Sequence, residues 1–458
     1  MEHRPIKATE GGSLIVADPL RWACASVAPD QSARTLGDRP YISMAVSAAM
    51  VLTSPLAFVA ASTLRLAALA ETVRTPVHGP TPLRDEDLPT YSVLVPLYRE
   101  ADVVPDLARA MLAMDYPADR LEVLVLLEEG DVGTVEAVRV HMAGVPFRVV
   151  VVPDGSPRTK PRACTYGLAL CQGARVVVYD SEDRPEPDQL RRAAAALEAD
   201  PDLAVVQCRL ACDHASGASP LVRLWALDYD VLFGALLPTL SHAGLPFLLG
   251  GTSNHFRRDA LLSVGGWDAH NVTEDADLAV RLARAGWRSG FVDSTTWEEA
   301  PLTLGAWVRQ RSRWLKGFAI TTLVHSRRPV RLLRDLGLRR TLALYAQLPA
   351  ALLSVAVFPL GAGLVASGSV DAVSPLTWLL VAGNSASWLL ALRVACSRRR
   401  SPGVGPWLVG LLPAYWLALT WALVVGLAEV PRRRTCWSKT EHGLAARPAG
   451  VTEPAGTG

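Results

Sequence analysis

Arg175-Val-Val-Val-Tyr-Asp-Ser-Glu-Asp183 is the stretch that decides the fold. Its first half is a short β-branched run of the kind that forms a strand buried on both faces. Its second half places three carboxylates directly at the carboxyl end of that strand. Working outward, similar runs occur at Tyr91–Leu97, Leu121–Leu127, Phe147–Val152 and Leu203–Gln207. Helical patterns over 101–114, 132–143, 160–172 and 188–199 separate them. Strands alternating with helices predict βαβ units, a mostly parallel sheet and right-handed crossovers. Such sheets bind ligands outside the carboxyl ends of their strands, where the acids of 180–183 lie. There is no GxGxxG after the first strand and no GxxxxGK[ST] anywhere. The sequence therefore disfavours a dinucleotide fold and a P-loop NTPase.

Composition adds a second part to the molecule. Of 458 residues, 50% are hydrophobic and only 20% charged, against roughly a quarter charged in ordinary globular chains. Mean hydropathy is +0.22. A chain this apolar buries enough surface to offset its ordering entropy, which rules out disorder. A net charge of +2 gives no support to nucleic-acid binding. Seven scattered cysteines without a CxxC pair argue against a zinc site or a disulfide scaffold. Tryptophan is in excess, 13 against 9 Tyr and 8 Phe, and Trp favours surfaces with one wet and one apolar side.

The apolar residues are segregated. Tyr41–Leu64 holds no charge, and the stretches 341–367, 376–396 and 407–430 are nearly as apolar. Each is long enough to cross a ~30 Å hydrocarbon core, so the sequence predicts four membrane segments around an α/β domain. The expected organisation is a flexible or cytoplasmic segment at 1–40, an anchor at 41–70 and the α/β domain at 88–300. An interface helix at 301–330, membrane helices over 341–430 and a tail at 431–458 follow. Arginine clusters at 398–400 and 432–434 both ask to lie inside, although a single straight crossing over 407–430 would separate them.

Several groups carry candidate chemistry. Asp180 and Glu182 are hard oxygen ligands placed to share Mg²⁺ or Mn²⁺; a polar turn capping the next helix reads the same way. Thr273-Glu274-Asp275 opens a helix, where acids suit the positive end of the dipole, and a carboxylate there can also serve as a general base. Lys160 starts another helix and can reach a phosphate, or stand solvated. Gly250-Gly-Thr252-Ser-Asn254 is a polar loop offering donors to a ligand, or simply a turn. In Leu304–Phe318, Leu304, Trp307, Val308, Leu315 and Phe318 share a helical face with Arg309, Arg313 and Lys316 largely off it. That pattern predicts a basic amphipathic helix on a bilayer surface.

Taken together, these pieces resemble the membrane-bound family 2 glycosyltransferases of the cellulose synthase type. The resemblance rests on Val178-Tyr-Asp-x-Glu-Asp-Arg-Pro-Glu-Pro187, Gly250-Gly-Thr-Ser-Asn-His-Phe256, Thr273-Glu-Asp275 and Gln310-Arg-Ser-Arg-Trp314, in that order. It covers about 88–325 strongly and the flanking apolar segments loosely. It implies a GT-A-like α/β catalytic domain with transmembrane α-helices in the plasma (inner) membrane, multi-pass, the domain on the cytoplasmic side. Asp180 and Glu182 would hold a divalent cation, Mg²⁺ or Mn²⁺, on the donor diphosphate. Asp275, with Glu274 beside it, would act as base on the acceptor hydroxyl. Lys160 would sit near the nucleotide phosphates, Arg313 near the diphosphate, and Gln310 and Trp314 along the glycan path with Thr252 in the adjoining loop. Trp437-Ser-Lys439-Thr440-Glu-His442-Gly443 resembles the cytosolic gating loop. Two departures stand out: Glu128-Glu129 takes the place of the family's first Asp pair, and Glu182 the place of the second Asp of Asp-x-Asp.

The expected activity is inverting, processive transfer from a nucleotide-diphosphate sugar, UDP-linked, to a growing polysaccharide, with membrane helices aiding export. The implied partners are the donor, a glycan acceptor, the bilayer and export or accessory subunits, and no nucleic acid. A non-processive transferase adding one sugar to a lipid carrier shares the sheet and the acids, and product size separates the two. A catalytically dead scaffold is the reading that the intact Asp180, Asp275 and Arg313 oppose.

Overall fold

The structure, a computed structural model of the chain, describes residues 59–71, 81–212, 215, 217–367, 375–397 and 400–430. The first half of the α/β region follows the expected alternation. It runs β1 (Tyr91–Leu97), α2 (Val104–Leu112), β2 (Leu121–Glu128), α3 (Val132–His141), β3 (Phe147–Val152), α4 (Lys160–Leu170) and β4 (Arg175–Val178), after a helix α1 over 59–71. The second half comprises β5 (Arg184–Pro185), α5 (Gln189–Ala199), β6 (Leu203–Cys212), α6 (Pro220–Val231), α7 (Leu237–His242), β7 (Asn254–Arg257), α8 (Arg258–Ser263), α9 (Glu274–Arg284) and β8 (Arg288–Glu298). Helices α10 (Leu304–Ser326), α11 (Pro329–Gln347), α12 (Pro349–Ala366), α13 (Pro375–Ala395) and α14 (Leu412–Glu429) complete it.

The eight strands form one sheet in the order β3-β2-β1-β4-β7-β6-β8-β5. β1 pairs in parallel with β2 and β4, and β2 with β3, in unbroken register from Tyr91↔Leu121 to Leu97↔Leu127. All four residues of β4 are buried, as expected of a strand covered by helices on both faces. Beyond β4 the sheet is mixed. β7 runs antiparallel to both β4 and β6, and β5 antiparallel to β8, while β6 and β8 are parallel. The expected α/β class holds, and the mostly parallel sheet is corrected to a parallel half joined to a mixed half. The reversal at β7 follows from the tight Gly250–Ser253 loop, which delivers the chain back beside β4, with Ser253 N–H bonded to Val178 O (2.9 Å).

Helix α10 lies against the sheet domain and against α14. Gly426 makes the close approach: a Cβ there would sit 2.5 Å from Ser312 O. Both ends of α14 are held to α10. Arg311 donates to Tyr415 OH (3.0 Å) near one end, and Lys316 Nζ donates to Glu429 Oε2 (2.8 Å) at the other. The turn after α13 is held to the sheet domain, because Ser401 donates through N–H and hydroxyl to Asp230 (2.7 and 2.9 Å), itself paired with Arg209 (2.7 Å).

The basic helix differs from its expected setting on a lipid surface. Trp307, Arg311, Leu315 and Lys316 are all buried in protein. Among the described residues, Pro329–Pro359 and Pro406–Glu429 are the two helical stretches long and apolar enough to cross a membrane. These two overlap the expected segments 341–367 and 407–430, and α13 covers nearly all of the expected 376–396. Most of the 41–64 segment, and Lys439, Thr440 and His442, lie outside the described residues.

Candidate active site

The carboxyl ends of β1, β2 and β4 open into one cleft, which the start of α9 and the middle of α10 close from the other side. After β4 the chain turns sharply. Asp180 N–H donates to Asp183 Oδ2 (2.7 Å), and the Thr252 hydroxyl joins Asp183 to Val178 O. This buried latch turns Asp183 into the protein and leaves Asp180 and Glu182 lining the cleft. Burial, then the neighbouring Asp180, Glu298 and Glu182, pushes the Asp183 carboxyl well above its ordinary range.

Lys160, the first residue of α4, pairs with Asp180 and donates to Gly251 O (2.7 Å). Burial by itself depresses the ammonium, but Asp180 and Glu274 outweigh it, so the net shift is upward and Lys160 stays cationic. Across the cleft, α9 begins at Glu274. Its N-terminus is pressed against α10: a Cβ on Gly317 would lie 2.3 Å from Thr273 Oγ1, a contact only glycine permits. One turn further, Asp277 is buried between His325 Nε2 of α10 (2.9 Å) and Arg281 Nε (2.6 Å). Asp277 thus clamps α9 to α10 and leaves Asp275 to face the cleft. Burial, reinforced by the adjacent Glu274, pushes Asp275 up to about 7. A carboxylate with that value is matched to removing a proton near neutral pH. Glu274 is likewise raised by burial against the pull of Lys160.

Helix α10 brings Gln310, Arg313 and Trp314 to the same cleft. Burial lowers the Arg313 guanidinium against the opposing Glu274, Asp275 and Asp180; it still carries its charge, since arginine is not deprotonated in proteins. Gln310 accepts from Trp225 Nε1 (3.0 Å). Trp225 stacks on Tyr229 at 3.8 Å, and Tyr229 lies 6.2 Å from Trp314 at a shallow angle. Arg311 Cζ sits 4.6 Å from the Trp314 ring centroid and is anchored by Asp228 (2.7 Å). The half-buried Trp314 ring is thus fixed at the edge of the cleft.

Of the residues singled out in the sequence, Glu128, Lys160, Asp180, Glu182, Glu274, Asp275, Gln310, Arg313 and Trp314 converge on this one cleft. Glu128 is buried and bonded to Arg162 (2.8 Å). Glu129 turns outward and accepts from Asp154 N–H (2.9 Å). Thr252 lies beneath the cleft in the Asp183 latch, 1% exposed. Tyr98, Arg158, Asp228, Tyr229 and Arg311 also line the cleft. Tyr98 directly follows β1, so the rule of strand carboxyl ends points to it; Asp228 and Tyr229 lie mid-helix and carry no such signal.

Asp180, paired with Lys160, and Glu182 are the two carboxylates that line the cleft directly after β4. No cluster of three or more metal-ligating side chains occurs among the described residues. Mg²⁺ and Mn²⁺ ordinarily need only one or two carboxylates, the remaining ligands being water and substrate phosphate.

A family model described as glycosyl transferase family group 2 matches residues 175–428, and a glycosyl transferase family 2 model matches 92–254. The probable glycosyltransferase YdaM of Bacillus subtilis (strain 168) is 28% identical over 240 residues, 51% of this chain and 56% of that protein. Glucomannan 4-beta-mannosyltransferase 2 of Arabidopsis thaliana is 29% identical over 261 residues, 53% and 47% of the two chains. The chain thus spans about half the length of the curated relatives it matches. Among solved structures, the mannosyltransferase PcManGT from Pyrobaculum calidifontis, in complex with GDP-Man and Mn²⁺, shares the fold. Its TM-score is 0.53 at 21% identity, covering 86% of this chain and 98% of that one.

Proposed function

Because the chain belongs to glycosyl transferase family group 2, we propose that it is an inverting transferase moving a hexose from a nucleoside-diphosphate sugar to a glycan hydroxyl. The observation that carries this reading is the convergence on one cleft of Asp275, raised to about 7, and the cations Lys160 and Arg313. Asp275 takes the acceptor proton while the acceptor oxygen attacks the anomeric carbon and the bond to the diphosphate breaks. A single displacement with one base inverts the centre, and no carboxylate nucleophile is required. Lys160 and Arg313 donate to the departing diphosphate oxygens, stabilising charge that grows as the bond breaks. A cation held by Asp180 and Glu182 would neutralise part of the same charge. Gln310 and Trp314 hold the acceptor end of the glycan, Trp314 through its ring face.

The named activities of the mannosyltransferase relatives make a GDP-linked hexose the first donor to test, with the UDP-linked donor that the cellulose synthase resemblance implies beside it. Multi-pass placement in the plasma membrane with the catalytic domain inside rests on the cellulose synthase resemblance alone, whereas association with a bilayer is supported by the two apolar stretches. It is further supported by the exposed α14 stripe Leu417, Trp421, Val424 and Leu427, a row that water would not favour. The test is to incubate the purified full chain with labelled UDP- and GDP-hexoses and an oligosaccharide primer, then determine product length and linkage. Incorporation from one donor, abolished by EDTA and restored by Mn²⁺ or Mg²⁺, is expected. Turnover indifferent to chelation removes the Asp180/Glu182 assignment, and single-residue extension removes the processive one.

A further inference from the structure

An exposed basic stretch lies just beyond the helix that carries Gln310–Trp314. Between Arg327 and Arg340 stand six arginines, at 327, 328, 331, 334, 339 and 340, against one acid. That acid, Asp335, is turned inward to Arg284 (2.7 Å). The first turns of α11 are anchored by Leu332 and Leu336, 2% and 7% exposed, which pack with Val280 and Ala283 of α9. The opposite face carries Val330 at 74% and Leu333 at 45% exposure among exposed Arg327, Arg328, Arg331 and Arg334. Gly337, with φ 72°, then breaks the helix, and Leu338 stands 62% exposed shortly before the charge-free run that begins at Thr341.

Apolar side chains exposed among arginines have no use in an aqueous phosphate site, and a nucleic acid offers them nothing. They match a bilayer interface, where acyl chains take the leucines and lipid phosphates take the guanidinium groups. We propose that residues 327–340 form a docking surface for anionic phospholipid headgroups and seat the α9–α10 side of the catalytic cleft on the membrane. This rests on the bilayer association proposed above and adds a lipid selectivity to it. The surface is distinct from the face of α10 that the amphipathic pattern singles out.

The test is to purify the full chain in neutral detergent, add phosphatidylglycerol and phosphatidylcholine in equal amounts, and count retained lipids by native mass spectrometry. Retention of phosphatidylglycerol over phosphatidylcholine is expected. Each arginine at such a surface contributes about fivefold, so Arg328→Gln/Arg331→Gln/Arg334→Gln should lower the selectivity on the order of 100-fold. The triple Arg→Lys variant should keep most of it, and donor turnover in neutral micelles should be unchanged in both, showing that they fold. Equal retention of the two lipids by the unmodified chain, or undiminished selectivity in the Gln variant, overturns the proposal while leaving bilayer association standing. Loss of selectivity on adding millimolar inorganic phosphate also overturns it, by showing a free-anion site. Retention of neither lipid overturns bilayer association itself.

Discussion

The two walls of the cleft are built by different means. On the sheet wall, Glu128 ends β2 and Asp180 and Glu182 come just after β4, so the strand that places each group is its own neighbour in sequence. On the helical wall, Asp275 and Arg313 are 38 positions apart and meet only because α9 is clamped to α10. That clamp consists of the Gly317–Thr273 contact and the buried Asp277–His325 bond. The first wall tolerates local change because the parallel register is held by many equivalent ladder bonds. The second depends on a few contacts that cannot be shared out. The groups proposed as proton acceptor and as cation facing the leaving group are thus held by the more vulnerable construction.

The comparison can be broken most directly at Asp275. Replacing it with Asn keeps the shape and removes the base, so transfer should fall by about 10²- to 10⁴-fold with unchanged thermal stability. Unaltered incorporation would move the base elsewhere. Asp277→Ala should act the other way, costing on the order of 3 kcal/mol of stability because His325 and Arg281 lose a buried partner; chemical denaturation measures this. A variant as stable as the parent would deny the clamp. Gly317→Ala forces a Cβ into Thr273 and should cost about 1–3 kcal/mol, with kcat falling as Asp275 shifts. Should kcat hold while stability drops, the clamp is structural only.

The pH profile comes next in size. Asp275 works as the carboxylate, so kcat/KM should fall about tenfold per unit as pH drops below about 7 and level off above it. A flat profile from pH 5 to 8 would contradict the raised carboxyl. The smallest effect belongs to Glu129, which faces solvent away from the cleft. Glu129→Gln should change turnover by less than about twofold, and a large loss would extend the sheet wall beyond its present edge.

How legible each wall was in the sequence follows the same division. The strand runs and the helices between them match the structure within a few residues, because β-branched clusters and helical periodicity are local signals. Asp180 and Glu182 were legible for that reason. Thr252 was legible as a polar loop residue but its place beneath Asp183 was not, since a hydroxyl in a tight loop looks alike whether it meets a ligand or a buried carboxyl. Helix α10 misleads for a physical reason: an amphipathic face reads the same against lipid as against protein. Only the partners, Tyr415 for Arg311 and Glu429 for Lys316, show which it meets. The antiparallel β7 escaped notice because four residues, Asn254–Arg257, are too few to show a period.

The sequence alone determined the α/β class, the acids at the end of β4 and the presence of the Thr-Glu-Asp and Gln-x-x-Arg-Trp groups, because each is written within a dozen consecutive residues. Tertiary structure alone decided which acids face the cleft and which are buried latches. It also decided that Arg327, Arg328, Arg331, Arg334 and Arg339 are left to solvent while Arg311 of the preceding helix is buried. Burial is a property of what packs against a residue, and for Asp183, Asp277, Arg311 and Lys316 part of that partner set comes from far along the chain.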